Sequence, residues 1–184
     1  MRRLAVTLTS TIALSAVAAP AHADTAVLAG GCFWGMESVF EHVKGVQNVV
    51  SGFAGGAARD ANYDSVSSER TGHAEAVRIT YDPKQISYGQ ILQIFFTVAH
   101  DPTQVNRQGW DIGSQYRSVI FVHDEDQRAA AEASREQVQS RLSRPVATSI
   151  EAAPAFLEAE DYHQQYLEKR GLASCTAKLA AVAG

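Results

Sequence analysis

Thr25-Ala26-Val27-Leu28-Ala29-Gly30-Gly31-Cys32-Phe33-Trp34-Gly35-Met36 is the stretch that decides the fold. Its first five residues read as a short buried strand. Gly30-Gly31 then lets the backbone turn sharply. From there Phe33, Met36, Phe40 and Val43 recur three, four and three apart, which is one stripe of a helix. Gly45 ends that helix. Further out, Val46 to Phe53 is strand-like and closes on Gly55-Gly56. Residues 57–72 are polar and turn-rich, so they form a long loop of the kind that often carries function. Ala74 to Tyr81 alternates as a strand, and Asp82-Pro83 stops it. Ser87 followed by Gln90 is a capping-box pattern that opens a helix running to about Ala99.

Residues 100–115 form a second long polar loop. Arg117 to His123 is a strand. Asp124 caps a third helix, which ends in Arg141 and Arg144 before Pro145. Val146 to Ile150 is a last strand, Glu158 to Lys169 is expected to be helical, and the tail after Gly171 is loose. The order predicts an α/β (α+β) fold: a ferredoxin-like split βαβ plait, a mixed sheet with helices on one face, plus long loops and a C-terminal tail.

The first residues have a different character. Arg2-Arg3 is a short basic start, Leu4 to Ala19 is mostly apolar and small with no charge, and Ala21-His22-Ala23 offers a peptidase site. This is the layout of a secretory signal peptide over residues 1–23. Residues 24–184 are then one domain, large enough for its own core. The chain carries a net charge of −4, which becomes −6 once Arg2 and Arg3 are lost with the signal. An acidic surface disfavours nucleic acid. The expected location is exported, in the periplasm, with no stable membrane insertion after cleavage.

Two cysteines, Cys32 and Cys175, lie near the ends of the mature chain. In an exported protein such a pair ordinarily makes one structural disulfide. The surroundings of Cys32 point elsewhere. It falls at a helix start, where unpaired N–H groups favour an anion, so its thiol pKa is expected to fall. Trp34 lies on the side of Glu37 and Glu41, either walling an apolar pocket beside the sulfur or covered by a loop. Glu75 shares a strand face with Val77, Ile79 and Tyr81, so burial is expected to raise its pKa and hold it protonated; the alternative is a wet edge position. Tyr63, Asp111 and Tyr116 lie in or beside the long loops, and no spacing rule makes them catalytic. The histidines show no metal-ligand spacing, and singletons such as His73 and His163 read as structural hydrogen-bonders. On residues alone, three readings stay open: a thiol reductase, another thiol enzyme such as a peroxidase or disulfide exchanger, and a binding module with a static disulfide.

Gly30-Gly31-Cys32-Phe33-Trp34-Gly35 resembles the active-site signature of the A-type peptide-methionine sulfoxide reductases. The likeness continues in order through Gly52-Phe53-Ala54-Gly55-Gly56, Arg70-Thr71-Gly72-His73-Ala74-Glu75, His100-Asp101-Pro102-Thr103, Asn106-Arg107-Gln108-Gly109, Gln115-Tyr116-Arg117-Ser118 and Glu160-Asp161-Tyr162-His163-Gln164. It spans about residues 27–167. It departs at Trp110, where the family usually has Asn. The resemblance implies attack by Cys32 on the sulfoxide sulfur of the S epimer. It implies Phe33 and Trp34 as the wall for the substrate methyl group and protonated Glu75 as donor to the sulfoxide oxygen. Tyr63 and Tyr116 then hydrogen-bond that oxygen, and Asp111 supports the site or its regeneration. Cys175 is the expected resolving thiol. The resemblance implies no bound cofactor or metal, and a thioredoxin-like dithiol as electron donor.

Overall fold

The computed structural model describes residues 23–172; the expected signal peptide, except its last residue Ala23, and Cys175 lie outside the described residues. Strand β1 (Asp24–Gly30) leads through Gly31 into helix α1 (Phe33–Glu41). Gly31 turns there at φ +103°, a conformation that L side chains resist. Strand β2 (Val46–Ala54), helix α2 (Tyr63–Ser67) and strand β3 (Ala74–Tyr81) follow. Then come helix α3 (Tyr88–Ile94), which runs on as a π-helical turn Phe95–Ala99, and a small hairpin of β4 (Arg107–Gln108) and β5 (Asp111–Ile112). Strand β6 (Ser118–Val122), helix α4 (Glu125–Gln139), strands β7 (Ser149–Ala152) and β8 (Leu157–Glu158) and helix α5 (Tyr166–Lys169) complete the chain.

The main sheet has the order β7-β6-β1-β3-β2-β8. Its four central strands are antiparallel, in the arrangement of the split βαβ plait. The edge strand β7 pairs parallel with β6, which makes the sheet mixed. One face carries Leu28, Val77, Ile79 and Ile120 against Phe33, Met36 and Phe40 of α1, Ile91 and Leu92 of α3 and Ala131 of α4. The other face, with Ala29, Ala76 and Phe121, is covered by Ala153 and Phe156. The helices therefore pack on one face. At nine residues α1 is too short to persist alone in water. Its apolar stripe holds it to the sheet, each large side chain contributing about 2 kcal/mol by burial.

Two loops carry more structure than their composition announces. Residues 57–72 contain α2, whose start is capped by Asn62 accepting from the Ser65 N–H at 3.0 Å. Residues 100–115 contain the β4–β5 hairpin. The strand expected at Val146–Ile150 sits slightly later, at Ser149–Ala152, and a further short strand, β8, follows it.

A continuous helix over 158–169 does not form. In its place are β8, a 3₁₀ turn Asp161–His163 and the four-residue α5. The reason is the edge of β2. The Gln164 side chain accepts from the Ser51 N–H and donates to the Ser51 carbonyl, both at 2.9 Å, and Gln165 turns left-handed at φ +53°. These long-range bonds outweigh the helical preference of the segment.

Gly52 lies under this contact. A Cβ there would run into the Leu157 carbonyl oxygen and the Phe156 ring. Gly52→Ala is expected to destabilise the protein by about 1–3 kcal/mol in urea unfolding. Amide exchange at Leu157 and Glu158 should accelerate more than exchange in β1.

Candidate active site

Cys32 is the N-cap of α1, and its carbonyl accepts from the Gly35 and Met36 N–H groups. Among the free N–H groups of this helix start, that of Phe33 is taken by Glu75. The Glu75 Oε2 accepts it at 3.0 Å, in a buried bond between residues 42 apart in sequence. β3 delivers Glu75 to this point because its odd positions face the helices: Val77, Ile79 and Tyr81 lie in the same core cluster as Phe33. Glu75 is only 2 % exposed. Burial pushes its carboxyl up to about 7, the Phe33 N–H pulls it partly back, and the Asp111 charge adds to the rise.

The Cys32 thiol behaves opposite to its helix-start expectation. It is pushed up to about 12, first by burial and then by the Glu75 and Asp111 charges. Backbone N–H groups of Trp34 and Gly35 act in the lowering direction and are outweighed. The helix start does favour an anion, but a buried carboxylate already occupies it. Cys32 and Glu75 therefore hold one proton between them from about pH 7 to about 12, and the two steps belong to the pair.

Tyr63 and Tyr116 complete the cluster. Burial raises both phenols, and the Glu75 and Cys32 charges raise them further, so both remain O–H donors. Asp111, in β5, is exposed, yet its charge bears on Cys32, Glu75 and Tyr116. Cys32, Glu75, Tyr63, Tyr116 and Asp111 are thus brought together from five separate segments.

Cys32 and Trp34 line a cavity of about 620 Å³ with Gly30, Val98, His100 and Asp111. The Trp34 indole lies flat on Tyr166, ring centroids 3.7 Å apart and planes 3° from parallel, and its Nε1–H donates to His163 Nδ1 at 3.0 Å. Phe33 is wholly buried. It backs the aromatic group, with centroids 6.2 Å from Trp34 and 6.5 Å from Tyr63, and does not line the cavity. Trp110 stands at the cavity rim, 98 % exposed, at the tip of the β4–β5 hairpin. Glu37 lies off the apolar stripe of α1, on the side of Trp34, yet it is buried. Its Oε2 accepts from the Ser51 hydroxyl and the Gln165 N–H.

His73 is structural: its Nδ1 accepts from the Gly56 N–H and its Nε2 donates to the Ala57 carbonyl. His100, which the sequence marks only through the His100-Asp101-Pro102-Thr103 motif, lines the cavity half-buried, between the Phe95 carbonyl and the Ser118 hydroxyl, and desolvation lowers it to about 4, so it is neutral. Glu160 and His163, on the 157–169 segment, also reach the site. Their one sequence signal is the Glu160-Asp161-Tyr162-His163-Gln164 run. No group of three or more His, Cys, Asp or Glu side chains converges as a metal site among the described residues.

The sequence profile described as "Peptide methionine sulfoxide reductase" matches residues 24–183. A relative from Mesorhizobium japonicum, peptide methionine sulfoxide reductase MsrA 2, is 51% identical over 146 residues, covering 78% of this chain and 75% of its own. The crystal structure of reduced Mxr1 from Saccharomyces cerevisiae superposes with a TM-score of 0.80 at 32% identity, covering 91% of this chain and 97% of that one. The same yeast protein in complex with Trx2 gives 0.57 at 26% identity, over 84% of this chain and 92% of that one.

The raised Glu75 carboxyl has a consequence for stability. Its folded value lies above the ordinary 4.5, so its contribution is fully present below about 4.5 and is lost as pH rises through about 7. Glu75→Gln retains an acceptor for the Phe33 N–H and cannot ionise. Between pH 4.5 and 8, wild type is expected to lose about 3 kcal/mol relative to Glu75→Gln in urea unfolding. Parallel pH curves for the two proteins would remove the buried titration.

Proposed function

The chain belongs to the peptide methionine sulfoxide reductase family and is an oxidoreductase of that activity, and we propose that it reduces the S epimer of methionine sulfoxide, free or in proteins, with Cys32 as nucleophile and Glu75 as proton carrier. The observation that carries this is the Cys32–Glu75 pair, a half-buried thiol and a buried carboxyl joined through the Phe33 N–H, with Glu75 raised to about 7 and Cys32 to about 12.

The steps follow from that proton. A sulfoxide oxygen is a poor leaving group until it is protonated. As the thiol gives up its proton, Glu75 passes it to the sulfoxide oxygen, and the Cys32 sulfur attacks the sulfoxide sulfur. The hydroxyl transfers to Cys32, giving sulfenic acid and leaving methionine, so atoms and electrons balance. Tyr63 and Tyr116, as phenols held protonated, donate hydrogen bonds to the oxygen as charge develops there. Trp34, backed by Phe33, walls the pocket for the substrate methyl group. Cys175 condenses with the sulfenic acid to form a disulfide and release water. A thioredoxin-like dithiol then reduces that disulfide by exchange, with Asp111 supporting this regeneration. The Trx2 complex of the yeast relative supports a dithiol protein of this kind. The Arg2-Arg3 start and the apolar run after it support export to the periplasm with cleavage after Ala23. No helix among the described residues is long and apolar enough to cross a membrane.

The other thiol-enzyme readings fit less well. A peroxidase or a disulfide exchanger needs a thiolate at rest. Burial and the Glu75 charge instead favour the Cys32 thiol, whose attack is helped by a substrate that accepts a proton, and the chain has no Cys-x-x-Cys pair of the exchanger kind.

Two measurements test this. Cys32→Ser should abolish reduction, while Cys175→Ser should make one methionine per chain and stop at sulfenic acid, read by thiol titration and mass spectrometry. Full steady-state turnover by Cys175→Ser with a protein dithiol would remove Cys175 from the cycle. The reactive arrangement, thiolate beside neutral acid, is a tautomer of the one-proton state. The single-turnover rate should therefore rise with pH through about 7 and then level off. Glu75→Gln should lower the plateau by roughly 10²–10⁴-fold. A rate that falls above pH 7 would assign the reaction to the doubly protonated pair.

A further inference from the structure

Trp34 and Tyr63 come from different elements, α1 and α2, yet one chain of contacts ties them together. The Trp34 Nε1–H donates to His163 Nδ1 at 3.0 Å. A neutral imidazole that accepts at Nδ1 carries its proton on Nε2. Burial lowers the His163 pKa from its ordinary 6.5, which favours this neutral ring. The Nε2 atom is buried without a hydrogen-bond partner and lies 4.0 Å from Glu160 Oε2, which is also buried and unpartnered. The other carboxylate oxygen, Oε1, accepts the Tyr63 N–H at 3.1 Å. The line thus runs from the indole through the imidazole and the carboxylate to the first residue of α2.

The pair sits in a stiff frame. The His163 N–H donates to the Glu160 carbonyl at 2.8 Å across the 3₁₀ turn, Gln164 is bonded to Ser51, and Gln165 is bonded to Glu37. The His163 ring also packs 4.4 Å from Tyr63, 5.2 Å from Phe33 and 5.6 Å from Trp34, centroid to centroid. It is the common neighbour of all three.

We propose that Glu160 and His163 are a positioning pair: they hold Trp34 and Tyr63 at a fixed separation and so set the affinity for the sulfoxide side chain without touching the reacting atoms. This rests on the sulfoxide reductase reading above. The Trp34 and Tyr63 rings lie 17° from parallel with centroids 6.5 Å apart. A methyl-side wall on one element and an oxygen-side donor on another keep that geometry only if something rigid bridges them.

The test uses a Trp110→Phe background, in which Trp34 is the remaining indole of the chain's two. His163→Leu removes the acceptor. His163→Asn places a carboxamide oxygen near the former Nδ1. Glu160→Gln keeps the acceptor for the Tyr63 N–H and removes the charge facing Nε2. Each is compared with its parent for urea stability, for single-turnover reduction across methionine sulfoxide concentrations and for time-resolved anisotropy of Trp34.

His163→Leu should raise the half-saturating concentration about five- to tenfold, more than it lowers the limiting rate, and should free the Trp34 ring. His163→Asn should bring both back to within about twofold of the parent. Glu160→Gln should fall between. The pair is overturned if His163→Leu binds sulfoxide like its parent, or if His163→Asn is as impaired as His163→Leu at equal stability. Should His163→Leu fail to fold, Glu160→Gln decides, and parental affinity with parental anisotropy would overturn the pair. A parent that reduces no sulfoxide would sink the functional reading instead. In that case unchanged Trp34 anisotropy in His163→Leu would sink the positioning pair separately.

Discussion

The hydrogen bond from the Phe33 N–H to Glu75 is the contact on which the rest of the site depends. The start of any helix leaves N–H groups unpaired, and here one of them meets a buried carboxylate. That single bond joins the first turn of α1 to β3. It also places the Glu75 carboxyl one residue from Cys32. Burial first, and then the charge of Glu75 in the place an anion would favour, keep the proton on the thiol beside it. The site is therefore poised by proton count: above about pH 7 a half-buried thiol and a buried carboxyl share one proton, whose destination is the basic oxygen of an arriving substrate.

A second buried carboxylate steadies the same helix. Glu37, one turn on from Phe33, accepts from Ser51 and from the Gln165 N–H, and burial pushes it also up to about 7. Glu75 ties the start of α1 to the sheet centre, and Glu37 ties its next turn to the chain beyond β8. Between them lies an aromatic group: Phe33, Trp34 and Tyr63 around His163, with Tyr166 flat against the indole. The 157–169 segment supplies His163 and Tyr166, and it gives up helical continuity to do so. Its backbone and side chains are used on β2 and α1 instead.

Much of the fold was legible because local pattern and tertiary demand agree. The Ser87–Gln90 capping box forms in both directions, as a three-residue spacing permits. β3 begins and ends where its alternation does. The α1 stripe faces the sheet. Legibility failed where a distant partner overrides a local rule. Residues 158–169 have a helical composition, but Ser51 and Glu37, more than a hundred positions earlier, set their backbone. His163 looked like an ordinary structural histidine, which it is. That it joins Trp34 to Glu160 could be seen only once the chain had brought them together.

The sequence by itself determined that a helix starts at Cys32 and that Glu75 faces the core side of its strand. Turn chemistry and side-chain periodicity act within a few residues, so they are written in the order of the chain. It also carried the run of motifs that marks the family. Only the tertiary structure decided the charge state of the site. Whether Cys32 is thiol or thiolate, and whether Glu37 is wet or buried, depends on how much water the surroundings remove and which charges remain nearby. Those surroundings are assembled from five segments of the chain, and desolvation is a property of the assembly, not of any stretch within it.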